Sequence, residues 1–311
     1  MLQLTMILTW INVMRFLDVK TDYAFKKVFG SKDSVPVLIS FLNAILDYQG
    51  KNKISDLEIV DPYQIPLLRG MKDTYVDVKA QLANGKQVII EMQVLNVKGF
   101  EKRILHNAAK QYSQQLKKGE NYQLINPVIA LTFTDFRMFD DTKDYISHFR
   151  LIERKRFIEY TDDVELIFVE LPKFNKPLEA LDNIKDKWIY FLKNAGDLDY
   201  IPETLADPCI KNAFETVNEA GMTAEELELQ EKRYDFIRIQ KGSVELAEEK
   251  GLEKGRVEGR EEGLEKGREE GQKTAQLKIA LNLLDLLDDK TIAEKIGLSI
   301  EEVMALRSNE T

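Results

Sequence analysis

The clearest pattern in the chain is an alternation of apolar and polar residues on both sides of the dipeptide Asn84-Gly85. Such alternation has the two-residue period of a half-buried β-strand. An Asn-Gly pair between two such runs predicts a β-hairpin, here over 73–96. A two-residue type I′ turn is expected because that turn needs positive φ at both central residues.

This hairpin places two acidic residues on neighbouring strands at nearly the same distance from the turn. Asp77 lies seven residues before Asn84, and Glu91 lies six residues after Gly85. Because side chains alternate along a strand, Glu91 and Gln93 share one face while Met92 points to the other.

The remaining hydrophobic pattern predicts helices and strands in alternation. The predicted helices are 22–29, 34–46, 100–118 and 178–193, and the predicted strands are 57–60, 128–133 and 164–171, with 149–158 as a candidate partner of the last. The run 128–133 is continuously apolar, which is typical of a strand covered on both faces. We therefore expect an α/β fold with a mixed central sheet flanked by helices.

From Thr223 onward the composition shifts to Glu, Lys, Arg and Gly, which predicts a helical tail. Glycines recur every four residues at 251, 255, 259, 263, 267 and 271. Six glycines cost a helix about 5 kcal/mol relative to alanine. The segment is therefore either a solvated, frayed spacer or a surface that packs against another backbone, in a homo-oligomer or with a protein partner.

The final segment has helix-turn-helix spacing, with a capping box formed by Ser299 and Glu302. A DNA-reading helix here would begin with Glu301 and Glu302, which phosphates repel. A small helical cap or protein-binding element is favoured over a DNA reader. The predicted domains are a non-native leader (1–13), the α/β domain (14–200), a helical connector (201–250), a glycine-rich helical repeat (251–275) and the cap (276–311).

Composition argues against a disulfide-stabilised protein, a zinc protein and a membrane protein. The single cysteine, Cys209, rules out an intramolecular disulfide framework and fits a cytoplasmic protein. The two histidines are far apart in sequence, which argues against a zinc site. The apolar leader is too short to span a bilayer, and we expect no membrane association.

The net charge of −9 is unevenly distributed. Residues 1–220 carry 29 Lys and Arg against 31 Asp and Glu, whereas residues 221–311 carry 15 against 22. Most of the acidic excess therefore belongs to the tail. The near-neutral remainder tolerates a nucleic-acid groove without requiring one.

The chemistry centres on Asp77 and Glu91. Two carboxylates that converge from adjacent strands form an all-oxygen corner suited to Mg²⁺ or Mn²⁺. The alternative is a pair of surface residues on an edge hairpin. The apolar residues around them favour strands inside a covered sheet, where a charge needs a partner or a metal.

The spacing Asp77-x13-Glu91-x-Gln93 resembles the PD-(D/E)XK nuclease superfamily, and neighbouring segments resemble its Rpn family of recombination-promoting nucleases and transposases. These segments are Phe16 to Gly30, Val88 to Gln93, Tyr112 to Tyr122, Glu170 to Phe174 and Trp188 to Leu192. The resemblance implies a restriction-endonuclease-like core. It also implies that Asp77 and Glu91 hold the metal, with the Met92 carbonyl as a further ligand, and that Gln93 stands where the superfamily has lysine.

Further site residues follow from the resemblance and from one helical stripe. Asp22 matches the family's first-helix acid, as an outer carboxylate or as a helix-terminal acid. Lys26, one turn on, either reaches a phosphate or is solvated. Arg103, Asn107, Gln111 and Gln115 recur at i, i+4 spacing, which is also typical of an ordinary exposed face. Of these, Arg103, Gln111 and Gln115 are expected to contact phosphate or support the site.

The expected function is that of a Mg²⁺-dependent DNA endonuclease (Mn²⁺ being the alternative ion) that hydrolyses phosphodiester bonds and is linked to recombination or mobile elements. Two alternatives stay open. One is a non-catalytic nucleic-acid-binding or assembly protein on a nuclease fold, and the other is an RNA-directed nuclease.

Overall fold

A mixed six-stranded sheet forms the centre of the fold, in a computed structural model that describes residues 15–64 and 74–308. The strands are β1 (Leu57–Val60), β2 (Tyr63–Gln64), β3 (Thr74–Tyr75), β4 (Val78–Leu82), β5 (Gln87–Gln93), β6 (Val128–Thr134), β7 (Ile146–Ile152) and β8 (Glu159–Glu170). The sheet order is β1-β4-β5-β6-β8-β7, and β2 pairs with β3 separately. The strands β5, β6 and β8 are parallel, whereas the other pairs are antiparallel. The predicted leader 1–13 and Asp73, where the predicted hairpin begins, lie outside the described residues.

The described part of the chain contains eight α-helices. They are α1 (Asp22–Phe29), α2 (Val35–Ile45), α3 (Phe100–Ser113), α4 (Ile184–Asn194), α5 (Pro208–Thr216), α6 (Ala224–Leu283), α7 (Asp289–Ile296) and α8 (Ile300–Ser308). On one face, β5 contributes Val88, Ile90 and Met92 to a core shared with α1, α2, α4 and α5. On the other face, Ile89 packs in a smaller cluster with Phe100 and Ile104 of α3. The predicted α/β fold is confirmed.

Two predicted helices are longer than the observed ones. The helix α3 ends at Ser113 rather than at 118, because the Gln115 side chain exchanges two hydrogen bonds with the backbone of Asn126. The helix α4 begins at Ile184 rather than at 178, because the Asn183 side chain caps it by accepting from the Asp186 N–H. In both places a side-chain contact with the backbone overrides a helical sequence pattern that runs further.

The hairpin is present, but its turn differs from the predicted type I′. The Leu82 N–H donates to the Lys86 carbonyl, and Ala83–Gly85 form a three-residue loop. Only Gly85 has positive φ, at 86°, and a Cβ there would lie 2.3 Å from Asn126 Oδ1. The longer loop changes the register. Val78 pairs with Ile90 at the end of the ladder, and Asp77, one residue earlier, donates its N–H to the same Ile90 carbonyl.

Contacts divide the chain between Gln240 and Lys241, inside α6. This boundary lies within the 201–250 segment predicted as a connector, and the predicted domain division stays a prediction. In the second unit, Ala280 of α6 and Leu284, just after that helix, pack with Ile292 of α7 and Val303 of α8. The predicted capping box is confirmed, since Ser299 and Glu302 exchange side-chain to backbone hydrogen bonds.

The six glycines of the tail lie within α6, as the helical interpretation requires. A Cβ added at any of them would have no atom within 4 Å in the described part of the chain. Among the described helices, none combines the length and the apolar composition that a membrane crossing requires.

Candidate active site

Asp77 and Glu91 meet at the end of the β4–β5 hairpin that is remote from its turn. Asp77 lies one residue before β4, where its N–H donates to the Ile90 carbonyl at 3.1 Å. Its Oδ2 accepts a hydrogen bond from the Met92 N–H at 2.8 Å, which continues the strand pairing through a side chain. Both carboxylates line a cleft of about 380 Å³.

Glu91 and Gln93 face α3, as the strand alternation predicts, while Met92 lies in the opposite core. The Asn107 amide on α3 donates to Glu91 Oε1 at 2.5 Å. Glu91 is only 8% exposed, so this contact fixes a carboxylate that has little access to water.

Each carboxylate faces a cation from a different helix. The Lys26 ammonium of α1 lies 3.4 Å from Asp77 Oδ1, and Arg103 of α3 lies 3.7 Å from Glu91 Oε2. Lys26 and Arg103 are 45% and 42% exposed, so both cations lie on the solvent side of the acids. The cleft therefore combines two largely buried carboxylates with two partly exposed cations.

Burial raises the pKa of both acids. For Asp77, desolvation outweighs the hydrogen bond from Met92 and the attraction of Lys26, and the nearby charge of Asp22 raises its pKa further. For Glu91, desolvation outweighs the hydrogen bond from Asn107 and the attraction of Arg103, and Asp77 adds repulsion. Two like charges in a dehydrated corner are disfavoured unless a cation joins them.

Gln93 uses both ends of its amide. Its Nε2 donates to the Leu95 carbonyl, and its Oε1 accepts from the Arg103 guanidinium. The Gln93 side chain is thus neutral, but it orients a cation supplied by α3.

Asp22 also lines the cleft, at the first position of α1 after the N-cap Thr21. Its carboxylate is paired with Arg233, which lies on α6. Phe236 and Ile237 of the same helix complete the wall. Sequence reasoning missed these α6 residues, because no local motif links positions that are more than 200 residues apart.

The structure does not bring Gln111 and Gln115 to the cleft, which corrects their expected placement. The helix α3 runs opposite to β5, so each turn of the polar stripe moves away from Glu91. Gln111 reaches Gln87 at the start of β5, and Gln115 binds the backbone of Asn126. Two members of the stripe contact Glu91, Arg103 as an ion pair and Asn107 as a hydrogen-bond donor. Sequence analysis noted Asn107 in the stripe but gave it no role.

The donor set fits a hard divalent cation. Asp77, just before β4, and Glu91, on the neighbouring strand β5, offer carboxylate oxygens, which such ions prefer, and Met92 lines the same cleft. Within residues 15–64 and 74–308, no three His, Cys, Asp or Glu side chains gather at one point. Any ion held here would complete its coordination with water or substrate oxygens, as Mg²⁺ commonly does.

Comparison with known proteins identifies the family. The family model described as PD-(D/E)XK nuclease family transposase matches residues 19–247, which is more than two thirds of the chain. The match includes α1, the hairpin, α3 and the start of α6. No curated protein and no solved structure matches. The extent of the family match shows that the chain belongs to the PD-(D/E)XK nuclease family transposases.

Proposed function

We propose that this protein is a Mg²⁺- or Mn²⁺-dependent DNA endonuclease that serves recombination or the movement of mobile elements. One observation carries the proposal. Asp77 and Glu91 line a single cleft, in which Lys26 lies beside Asp77 and Arg103 lies beside Glu91. Membership in a family of nuclease-type transposases supports a hydrolytic reaction on nucleic acid.

Asp77, Glu91 and the Met92 carbonyl would hold the cation. When bound there, a divalent ion supplies Lewis acidity that polarises the phosphodiester and lowers the pKa of the attacking water. The Met92 N–H fixes Asp77, and Asn107 fixes Glu91, so both acids are oriented before an ion arrives. Such preorganisation lowers the cost of assembling the site.

Arg103 would supply the positive charge that lysine provides elsewhere in the superfamily. Gln93 cannot carry that charge, since an amide only donates and accepts hydrogen bonds. It does hold the Arg103 guanidinium beside Glu91. An arginine in this position can donate to two phosphate oxygens at once and stabilise charge that develops during hydrolysis.

Lys26 would serve the substrate on the Asp77 side. Its partner Asp77 is largely buried, whereas Lys26 is half-exposed. A cation bound by Asp77 would weaken the ion pair and release the Lys26 ammonium toward a phosphate. Asp22, next to Asp77 but engaged with Arg233, would act from outside the inner ligands.

A cleavage comparison tests the substrate and the activity together. Closed circular plasmid DNA and RNA of the same sequence would be incubated with the full chain and Mg²⁺. Nicking or linearisation of the plasmid, with RNA left intact, is the expected result, because a closed circle offers no ends to an exonuclease. Cleavage of RNA alone would favour the RNA-directed alternative. Binding of DNA without cleavage in Mg²⁺ or Mn²⁺ would favour the non-catalytic one.

A further inference from the structure

Arg233 lies in the active-site cleft although it belongs to a helix that begins far beyond the last strand. The cleft lining includes Arg233, Phe236 and Ile237 from α6 together with Asp77 and Glu91. The contact boundary between Gln240 and Lys241 places all three α6 residues in the same unit as the sheet.

The start of α6 is anchored to α1 by contacts that do not involve Arg233. Thr21 donates to Gln230 at 3.1 Å in a buried contact. Glu226 accepts from Tyr23 and from the Lys27 ammonium. Arg233, two turns beyond Glu226, is therefore presented to the cleft by a helix that is already fixed.

The pair between Arg233 and Asp22 differs from the other ion pairs of the cleft. The acids that face Lys26 and Arg103 are largely buried, whereas Asp22 and Arg233 are 47% and 50% exposed. An exposed ion pair of this kind is weak, because water screens it. A phosphate can therefore replace Asp22 as the partner of Arg233 without leaving a charge buried.

We propose that Arg233 binds a backbone phosphate of the DNA strand in the cleft, and that Asp22 holds the guanidinium in place until the strand arrives. This inference rests on the proposed function. Lys26, Arg103 and Arg233 would then grip the strand from α1, α3 and α6. A guanidinium suits this task because its planar donors match two phosphate oxygens. The apolar side chains of Phe236 and Ile237 form the wall behind it.

The test measures binding of a fluorescent DNA duplex to the full chain by anisotropy, in saturating Ca²⁺ and over a series of KCl concentrations. Arg233→Ala should weaken binding about tenfold, as loss of one charged hydrogen-bonded contact does. The slope of log affinity against log salt should fall by about 1. Arg233→Lys should keep the slope and recover part of the affinity.

Two further variants separate phosphate binding from helix anchoring. Arg238→Ala removes an arginine of the same helix that pairs with Asp235 and does not line the cleft, so it should bind as wild type does. Asp22→Asn should bind as tightly as wild type or more tightly, because it removes a negative charge that competes for Arg233. Thermal melting of Arg233→Ala should match that of Arg238→Ala.

Three results would overturn the inference. Arg233→Ala could bind with unchanged affinity and slope, or Asp22→Asn could lose as much affinity as Arg233→Ala, which would make the pair a structural anchor. If the wild type binds no duplex at all, the proposed function fails and the inference fails with it. Wild-type binding with an unaffected Arg233→Ala variant would contradict the inference alone.

Discussion

The two carboxylates of the cleft, Asp77 and Glu91, lead to a prediction about stability that needs no cleavage assay. Burial raises the pKa of Asp77 and Glu91, so their ionised forms are disfavoured in the metal-free fold. The variants Asp77→Asn and Glu91→Gln remove the charge but keep an acceptor for Met92 and Asn107. Without divalent ions, each variant should melt at the same temperature as wild type or higher.

Mg²⁺ should reverse that order. An ion that binds only the folded state, and is present at a concentration a hundred times its dissociation constant, adds about 2.7 kcal/mol to the free energy of unfolding. For a unit of this size, that corresponds to a rise in Tm of roughly 5 to 10 °C. The wild type should show this rise, and both variants should lose most of it.

The assay is differential scanning fluorimetry across a Mg²⁺ titration. Glu58→Gln is the matched control, because Glu58 is an exposed acid on β1 of the same sheet and does not line the cleft. It should keep the full response to Mg²⁺. A Mg²⁺ shift in Asp77→Asn as large as that of wild type would refute the assignment of these acids as metal ligands.

Three other perturbations follow from the described contacts. Gln93→Ala should lower kcat by about tenfold, because it frees the Arg103 side chain without removing it. This loss is far smaller than the one expected when a metal-binding carboxylate is removed. An unchanged kcat at saturating DNA would show that Gln93 does not position Arg103. Hydrogen bonds from Tyr23, the Thr223 N–H and Lys27 lower the pKa of Glu226 to about 2, from an ordinary value of 4.5. The stability that Glu226 adds is thus present above about pH 4.5 and is lost as the pH falls toward 2. Amide protection factors at the start of α6 should therefore fall in that interval in wild type, and a Glu226→Gln variant that still shows the fall would exclude this acid as its cause. Alanine at the six tail glycines should stabilise that stretch of α6 by about 5 kcal/mol, visible as slower amide exchange, because a Cβ there meets no atom of the described chain. Leucine at the same positions should disturb self-association and reduce the mass measured by light scattering. The same monomeric mass for the full chain and for a chain ending at Gln240 would contradict self-association through the tail.

Local chemistry explains what could be read from the sequence. The apolar alternation around Asn84-Gly85 predicts the hairpin, and strand alternation places Glu91 and Gln93 on the face that α3 covers. The Ser299–Glu302 capping box is likewise a contact between residues three apart. Each of these features depends on a few residues that are close in sequence, so the sequence pattern is sufficient to predict it.

Features that depend on distant packing could not be read in this way. Asn126 contacts the loop at Gly85, yet nothing near Asn84-Gly85 indicates that Ala83 joins the loop and shifts the register by one. The exclusion of Gln111 and Gln115 follows from the direction of α3 across β5, which the stripe itself does not encode. Arg233 enters the site only because α6 docks on α1.

The central claim is that Asp77 and Glu91 form the metal site of a DNA nuclease. The most direct measurement is nicking of supercoiled plasmid by wild type, Asp77→Asn and Glu91→Gln, each with Mg²⁺ and with Mg²⁺ plus excess chelator. We predict cleavage by wild type in Mg²⁺ alone, and none by either variant or in the presence of chelator. Wild-type cleavage that survives chelation, or an Asp77→Asn variant that cuts as fast as wild type, would contradict the claim.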